Sequence, residues 1–342
     1  MAKELRFTIV VCAYNSADYI ESTLRSLIHL DYPNNMYEII VVNDCSQDNT
    51  GKVVRRFKRV KLINHSVNKG VSCTRNTGLM AASGRWLAFI DDDCVADKRW
   101  LNELEQSLKQ SRVIGAGGLI LPSDTRHFLQ RYLFWSGYGR PASMSEGRAK
   151  SSFERLIAYG KSQFAHASGN MEARKVFEVY GANSAFRTQK LQQIGGFDSS
   201  LRSSEDSDIC RRLQEQFPDN TIWFNLDAIV YHRYEMSLVG YITKLFRRQK
   251  DTLNYYTQQK KIPPLYPMPC IFGLLLIASF WASWQLALSV LVIAPLILYC
   301  WWTVRAVHSA RPELLLYPYV QLIEEGARIS GLLVASLRMR SS

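Results

Sequence analysis

The sequence predicts an α/β protein with a mixed, mainly parallel sheet and flanking helices, followed by an apolar C-terminal region. Two observations predict this class. In the first hundred residues, short β-rich apolar runs alternate with stretches that repeat apolar residues at helical spacing. Residues 262–304 contain no charged side chain, whereas soluble helices normally carry a charged face. The chain therefore divides into an α/β part and a C-terminal helical part.

The elements of the α/β part follow one another in a regular order. Apolar runs rich in β-branched residues predict strands, namely FTIVVCAY (7–14), EIIVVND (38–44), VKLINH (60–65), RWLAFI (85–90) and 113–121. Helical spacing predicts helices, namely SADYIESTLRSLIHL (16–30), with Ser16 as N-cap, and CTRNTGLMAAS (73–83). The basic run KVVRRFKRVK (52–61) is interpreted as the solvated face of a crossover helix. Strands separated by helices indicate parallel pairing with right-handed crossovers.

Polar residues directly follow several of these strands. They are Tyr14, Asn43, Asp44 and the triplet at 91–93. Because ligands of open α/β sheets bind at the carboxyl ends of the strands, we expect these side chains to converge on one edge. Adjacent carboxylates repel one another, and a hard cation such as Mg²⁺ or Mn²⁺ would offset their charge. Since Mg²⁺ is usually held by few carboxylates together with substrate phosphates, the triplet predicts a phosphorylated substrate.

Charge and cysteine content limit the possible classes. The formal net charge of +12 favours a polyanionic partner, either nucleic acid, an anionic membrane surface or a phosphorylated substrate. The seven cysteines form no CxxC pair, which argues against a disulfide framework or a structural zinc site and favours a reducing compartment. The N-terminal sequence passes directly into a strand-like run, so no signal peptide is expected.

The uncharged stretch is long enough for a hairpin of two membrane-spanning helices, near 268–282 and 286–304. A buried helix pair of a soluble protein is the alternative. Basic side chains flank the stretch, which places both ends in the cytoplasm by the positive-inside rule. They are Lys244, Arg247, Arg248, Lys250, Arg305 and Arg311. Residues 305–342 mix apolar runs with charges and predict either an amphipathic interfacial helix or a third span.

The predicted organisation has three parts. Residues 1–262 form the α/β domain, 263–304 form the transmembrane hairpin, and 305–342 form an amphipathic or membrane-associated helix. Within the first domain, residues 122–180 contain the aromatic run HFLQRYLFWSGYG and the polar run PASMSEGRAKSSFER. We interpret this segment as an insert on the acceptor side at the membrane interface, with an ordinary core role for its aromatic residues as the alternative.

Seven sequence blocks occur along the chain in a distinctive order. They are VVCAYNSADYIESTLRSL, IIVVNDCSQDNT, NKGVSCTRNTG, GRWLAFIDDDC, GANSAFR, IGGFD and SEDSDICRRL. Over about residues 6–235, the chain thereby resembles the inverting glycosyltransferases of family 2. The resemblance implies a GT-A fold and transfer of a sugar from a nucleotide-diphosphate sugar, with inversion at the anomeric carbon. It also implies Mn²⁺ or Mg²⁺ as the cofactor.

The resemblance assigns the nucleotide to residues that follow the first strands. Ala13 and Tyr14 match residues that line the base, and Asp44 matches the aspartate that binds it. Asn43 stands where the family often has another aspartate, which puts the choice of base in doubt. A further set matches the loop and helix that reach the ribose and diphosphate, and it comprises Asn68, Gly70 and Arg75.

The triplet matches the DxD motif of the family. Side chains two residues apart in an extended segment face the same way, so Asp91 and Asp93 can share one site. The resemblance makes Asp93 a metal ligand and places Asp91 at the metal, the ribose or a metal-bound water. Asp92 is the spacer within this nucleotide site, and its side chain is expected to point away. His232 lies where related enzymes offer a metal or diphosphate ligand, with a structural role as the alternative.

A second acidic cluster matches the ED motif of the family. Glu205 and Asp206 form it, and the resemblance makes Asp206 the base that removes the proton of the acceptor hydroxyl. An ordinary acidic helix N-terminus is the alternative. Arg247 and Arg248 lie where processive members carry a QxxRW motif, and the resemblance implies that they contribute to diphosphate binding. Gln249 is not followed by RW, which disfavours a processive synthase.

These features predict a metal-dependent inverting glycosyltransferase attached to the cell membrane, with its catalytic domain on the cytoplasmic side. Its expected partners are a nucleotide sugar, a lipid-linked or glycan acceptor and the membrane, without nucleic acid. The alternatives are a processive polysaccharide synthase, a metal-dependent phosphohydrolase and a membrane-anchored nucleic-acid-binding protein. The last would explain the net charge of +12, although no nucleic-acid-binding motif is recognised in the sequence.

Overall fold

The computed structural model describes residues 5–139, 141, 144, 149, 151–168, 173–201, 203–234 and 237–340. The chain forms two compact units. The first unit contains Met1–Gly147 and Met171–Tyr234, and the second contains Arg148–Asn170 and Glu235–Ser342. The first unit thus ends at Tyr234, ahead of the boundary expected at residue 262.

The first unit is built on a nine-stranded sheet within its described residues. The strands are β1 (Phe7–Ala13), β2 (Tyr37–Asn43), β3 (Val60–Asn64), β4 (Trp86–Asp91), β5 (Cys94–Ala96), β6 (Val113–Pro122), β7 (Arg174–Val176), β8 (Asn183–Arg187) and β9 (Thr221–His232). Their order is β3-β2-β1-β4-β8-β6-β9-β5, and β7 also pairs with β9. The first strands are parallel, while β8 runs antiparallel between β4 and β6. This confirms the predicted mixed α/β fold.

Helices cover both faces of this sheet. They are α1 (Ile20–Ile28), α2 (Thr50–Val54), α3 (Val71–Ala81), α4 (Trp100–Leu108), α5 (Phe128–Ser136), α7 (Thr188–Gln193) and α8 (Glu205–Gln216). The intervening helix α6 (Ser152–Ser168) belongs to the second unit. Ile9 and Val11 of β1 lie in one core with Trp100, whereas Val10 lies in the other core with Leu213. Successive strand side chains point to opposite faces, so a strand buried on both faces is an uninterrupted apolar run.

Two local predictions about helix ends are wrong. Helix α1 begins at Ile20 with Tyr19 as its N-cap, and Ser16 contributes only its carbonyl oxygen, which accepts the backbone N–H groups of Tyr19 and Ile20. The basic run 52–61 is mostly outside a helix, because α2 ends at Val54. Phe57 packs against the core shortly afterwards, so the chain turns there and enters β3.

The described part of the second unit is helical. Its elements are α6 (Ser152–Ser168), α9 (Leu238–Gln258), α10 (Pro267–Ala282), α11 (Trp284–Leu298), α12 (Cys300–Ser309), a 3₁₀ helix (Pro312–Leu316) and α13 (Tyr317–Arg340). Helix α9 packs along α13, and α10 packs against α11. The polar run at 141–155 lies partly outside the described residues, and from Ser152 onward it is helical.

The second helix of the expected hairpin, 286–304, is broken in the structure. Helices α11 and α12 meet at an angle of 72° around Tyr299. Pro295 supplies no backbone donor and crowds the preceding turn, which weakens the helix before the bend. Tyr299 and Trp302 are buried, and the Tyr299 hydroxyl donates to Glu325 at 3.0 Å. Among the described residues, no single helix is both long and apolar enough to cross a membrane, although the bent pair α11–α12 meets both criteria together.

Candidate active site

The carboxyl ends of β1, β2 and β4 form the edge at which the predicted nucleotide residues meet. The register pairs Ala13 with Asn43, and Asp91 ends β4 beside β1. Ala13 is buried, and its carbonyl oxygen accepts the backbone N–H of Asp44 at 2.8 Å. Tyr14 follows with half of its surface exposed. The edge therefore presents an aromatic side chain above buried polar groups.

Asp44 organises the loop that leads from β3 into α3. Its buried carboxylate accepts the backbone N–H groups of Lys69 and Gly70 at 2.9 and 2.8 Å, and it lies 2.7 Å from His65 Nδ1. The side-chain amide of Asn68 donates to the Asp44 carbonyl at 3.3 Å. These bonds fix the loop at 65–70, so Asp44 has a structural role in addition to the base contact that the sequence predicts.

The amide at Asn43 is explained by its neighbours. Its Nδ2 donates to Asn64 Oδ1 at 2.9 Å, while its Oδ1 accepts the backbone N–H of Ser46 at 3.2 Å. An ionised aspartate would accept hydrogen bonds but could not donate one to Asn64. The departure from the family pattern therefore preserves a bond between the ends of β2 and β3.

The acidic triplet turns between two strands. Strand β4 ends at Asp91 and β5 begins at Cys94, so the expected alternation along one extended segment does not hold. Asp92 Oδ2 accepts the backbone N–H of Tyr14 at 3.1 Å, so this side chain is not turned away but holds the segment after β1. Burial, followed by the charges of Asp93 and Asp91, raises the pKa of Asp92 to about 7.

Asp93, Cys94 and His232 form a candidate metal centre. Their ligand atoms all lie within 4.8 Å of one another, and His232 Nε2 is 3.5 Å from Asp93 Oδ1. Antiparallel pairing of β5 with β9 places Cys94 opposite His232, whose ring stacks on Tyr234 with centroids 4.1 Å apart. Burial raises the pKa of the Cys94 thiol, and hard divalent cations prefer oxygen and imidazole donors to sulfur. The remaining carboxylate and imidazole donors fit a divalent cation such as Mn²⁺.

Arg75 lies between the two members of the second acidic cluster. Its Nη1 donates to Glu205 Oε1 at 2.8 Å and to Asp206 Oδ1 at 2.7 Å. The guanidinium also lies over the rings of Phe89 and Phe197, at 5.8 and 5.4 Å from their centroids. Arg75 is only 4% exposed, and its charge offsets those of the buried Glu205 and the partly buried Asp206. Arg75 therefore holds the acidic pair, and the contact with the ribose and diphosphate that the family resemblance implies stays a prediction.

The environment of Asp206 suits a base. Burial raises its pKa above the usual value, while the Arg75 cation opposes this shift, and Glu205 and Asp91 add to it. A carboxylate whose pKa is shifted towards neutrality is a stronger proton acceptor once it is ionised. Gly181 leaves room for this arrangement, since a Cβ atom at residue 181 would lie 1.8 Å from Arg75 Nη2.

Comparison with known proteins places this site in a family. The sequence model of the family described as glycosyl transferase family 2 matches residues 8–194, which is more than half of the chain. The chain belongs to this family. Two curated relatives are glycosyltransferase AglE of Haloferax volcanii, 30% identical over 115 residues, and poly-beta-1,6-N-acetyl-D-glucosamine synthase of Staphylococcus epidermidis, 30% identical over 112 residues. Each match covers 32% of this chain, together with 38% of the first relative and 27% of the second.

A solved structure supports the fold. Mannosyltransferase PcManGT from Pyrobaculum calidifontis, solved in complex with GDP-Man and Mn²⁺, superimposes with a TM-score of 0.59 at 18% identity. The superposition covers 97% of this chain and 87% of that one. It confirms the GT-A fold expected for a family 2 glycosyltransferase.

Within this family 2 fold, most of the predicted site residues lie in the first unit. These are Ala13, Tyr14, Asp44, Asn68, Arg75, Asp91, Asp92, Asp93, Glu205, Asp206 and His232. Arg247 and Arg248, expected at the diphosphate, lie on α9 in the second unit, and both are exposed. Their role at the diphosphate stays a prediction.

Sequence reasoning missed three residues that shape the site. His65 follows β3 just as Asp44 follows β2, so its position at a strand end could have identified it. Gly181 opens the block GANSAFR. A side chain at this position would collide with Arg75, which is distant in sequence, so the block alone does not show why glycine is required. Tyr234 lies two residues after His232, and no sequence pattern indicates that their rings stack.

Proposed function

We propose that the protein transfers one sugar, with inversion, from a nucleotide-diphosphate sugar to a hydroxyl group of a lipid-linked or membrane-proximal acceptor. The observation that carries this proposal is the presence of two separate acidic clusters in one unit. One contains Asp93 and His232, and the other contains Asp206 held by Arg75. Asp91 lies near enough to Asp206 to raise its pKa, so the clusters belong to one electrostatic environment. An inverting transfer needs a cation at the leaving diphosphate and a base at the acceptor.

The residues of the chain have distinct parts in this reaction. A divalent cation held by Asp93, His232 and Asp91 would stabilise negative charge on the departing diphosphate. Asp206 would accept the proton of the acceptor hydroxyl at its carboxylate, while Arg75 keeps that carboxylate in place. Asp92 would keep Tyr14 in position beside the base of the nucleotide. PcManGT was solved with GDP-Man and Mn²⁺, which supports this class of donor and this cation.

The surface of the second unit supports attachment to the cell membrane. In the described residues of the first unit, the exposed large hydrophobic side chains are few, namely Tyr14, Val67, Met80 and Phe134. In the second unit they are numerous and concentrate on α10 and α11, where Leu274 is 68% exposed and Trp281 is 89% exposed. Exposed apolar surface of this extent marks an interaction site, and lipid is its natural partner beside basic flanks. The basic flanks favour a catalytic domain on the cytoplasmic side.

Transfer of a single sugar is favoured over chain extension. The similarity to a poly-N-acetylglucosamine synthase keeps processive synthesis as the second candidate. In this chain, however, Gln249 is buried, and its amide donates to the Leu245 carbonyl at 3.0 Å within α9. A glutamine used in this way is not available to a growing product. Product length separates the two candidates, because a processive enzyme releases long chains.

The test is turnover of a panel of nucleotide sugars by the purified full chain with Mn²⁺ and membrane lipid extract as acceptor. We expect Asp206→Asn to lower transfer by about 10² to 10⁴-fold, while the affinity for the nucleoside diphosphate stays within about threefold. Asp219→Asn is the matched control, because Asp219 is exposed and lies just after α8, the helix that contains Asp206. Full activity of Asp206→Asn would overturn the assignment of the base. Failure of every nucleotide sugar to turn over would overturn the proposed function.

A further inference from the structure

Helix α9 has one face fixed in the core of the second unit. Tyr241, Leu245 and Gln249 are buried on this face at a spacing of four residues. Helix α13 approaches closely at Gly331, where a Cβ atom would lie 2.5 Å from the Phe246 carbonyl oxygen and 2.8 Å from Gln249 Cβ. This close packing holds the rotation of α9 about its own axis, and it determines which side chains point outward.

The outward face of α9 forms an open groove of about 400 Å³. The groove is lined by Gly240, Thr243, Lys244, Arg247, Arg248 and Asp251. These residues recur at intervals of three and four, so they share one side of the helix. The lining contains three basic side chains and a single carboxylate. The groove therefore carries excess positive charge in a shape that can accept a small anionic group.

Arg247 and Arg248 are the residues that make this charge available. Both are exposed, and within the described part of the chain neither has an ion-pair partner. An arginine guanidinium presents several N–H donors in a planar fork, which matches the oxygens of a phosphate group. Two adjacent exposed guanidinium groups are suited to a phosphate ligand, and the proposed reaction gives them no step.

Apolar side chains on the same helix indicate where such a phosphate would come from. Val239 is 75% exposed and Phe246 is 37% exposed, and both lie on the helix that carries Lys244, Arg247 and Arg248. A helix that exposes both basic and large apolar side chains is typical of a membrane interface, where the cations meet headgroups. A soluble phosphate would contact only the basic side chains. A lipid would contact the basic side chains through its headgroup and the apolar side chains through its acyl chains.

We propose that the groove on α9 binds the phosphate headgroup of an anionic membrane lipid through Arg247 and Arg248. The inference rests on the membrane attachment in the proposed function, but it does not depend on sugar transfer. Each basic side chain near an anionic surface contributes appreciably to binding, so loss of both should weaken binding about tenfold or more. Lipid bound in this way would fix the height of the second unit relative to the headgroups.

The experiment uses the full chain in micelles of a neutral detergent, without any nucleotide sugar. Phosphatidylglycerol is added in increasing mole fraction, and the thermal unfolding midpoint reports binding to the folded state. Phosphatidylcholine and inorganic phosphate are titrated in parallel. The test variant is Arg247→Gln/Arg248→Gln. The matched control is Arg55→Gln/Arg56→Gln, which removes the same charge from two adjacent exposed arginines of the first unit.

We expect the unfolding midpoint of the wild type to rise saturably with phosphatidylglycerol. The α9 variant should need about tenfold more lipid for the same rise, and the control should need the same amount as the wild type. Equal responses of the two variants would overturn the proposal, because the effect would then be general electrostatics. An equal response to phosphatidylcholine would overturn it as well. Saturation by inorganic phosphate as readily as by lipid would show a site for soluble anions. In a separate titration with a nucleoside diphosphate, loss of affinity in the α9 variant would assign the arginines to the donor and overturn the proposal.

Discussion

Arg75 connects the chemistry of the site to its stability. Its guanidinium contacts Glu205 and Asp206 and lies over two aromatic rings, so neither carboxylate is left as a buried unpaired charge. Removing one partner of a buried ion pair commonly costs about 3 to 5 kcal/mol, because the other charge remains in a poorly solvated position. The same cation keeps the pKa of Asp206 lower than burial alone would set it. One residue thus serves both the fold and the proposed base.

Replacement of Arg75 should change the pH dependence of transfer. Without the Arg75 cation, the pKa of Asp206 rises further, so its carboxylate remains protonated up to a higher pH. The acid limb of the kcat/KM profile therefore shifts to higher pH. We expect Arg75→Gln to lower activity at pH 7 by more than tenfold and to recover part of it in alkaline buffer. The affinity for the nucleoside diphosphate should change little.

Two further variants separate this role from a purely structural one. Arg75→Lys keeps the positive charge but loses the planar fork of donors. The acid limb of its pH profile should therefore lie near the wild-type position, while its kcat stays below the wild-type value. Gly181→Ala leaves Arg75 in the sequence but places a methyl group where the guanidinium lies, and it should reproduce part of the Arg75→Gln shift. A pH profile that does not move, together with weakened nucleotide binding, would instead place Arg75 at the diphosphate.

At the scale of elements, the sequence predicts strands better than it predicts how they turn. Strands β1, β2 and β4 follow apolar runs whose local composition is sufficient to specify them. The turn at Asp92 depends on a hydrogen bond to Tyr14, a residue 78 positions earlier, and no local pattern records it. The bend at Tyr299 depends similarly on burial against α13. Family resemblance found the acidic clusters, but only the tertiary structure shows which cation holds the second one.

The bend between α11 and α12 is tied to a buried polar network on α13. Glu325 is its centre, since its carboxylate accepts the hydroxyl groups of Tyr159 and Tyr299 at 3.0 Å and the amide of Gln321 at 3.1 Å. The network connects α6, the bend at Tyr299 and α13 within the second unit. Because Glu325 is itself buried, the two tyrosine hydroxyl groups rely on it, whereas the Gln321 amide also donates to Gln163 Oε1 at 3.2 Å.

Loss of this acceptor should destabilise the second unit. Glu325→Leu leaves the hydroxyl groups of Tyr159 and Tyr299 without this acceptor, and at about 1 to 3 kcal/mol for each unsatisfied group we expect a loss of roughly 2 kcal/mol or more. Glu325→Gln retains an acceptor oxygen and should cost less. Thermal unfolding of the full chain in neutral detergent measures both, with Glu313→Leu on the 3₁₀ helix as the control. Equal midpoints for Glu325→Leu and the control would show that the network adds nothing to stability.

At the scale of the whole molecule, charge and apolar surface are distributed unequally. The first unit carries the acidic clusters of the site and exposes few large hydrophobic side chains among its described residues. The second unit exposes apolar side chains on several helices and basic ones on α9. A net charge of +12 would suit nucleic acid equally well, but the apolar surface is better suited to a lipid bilayer.

Lipid contact should be detectable through two tryptophans of the hairpin. Trp281 and Trp284 are 89% and 62% exposed, whereas Trp86 is 3% exposed in the core of the first unit. If α10 and α11 enter the bilayer, brominated lipid chains should quench tryptophan fluorescence of the full chain in vesicles. Most of this quenching should disappear in Trp281→Phe/Trp284→Phe and persist in Trp86→Phe. Quenching that is absent from the wild type, or that is equal in both variants, would mean that the apolar surface faces a protein partner and not lipid.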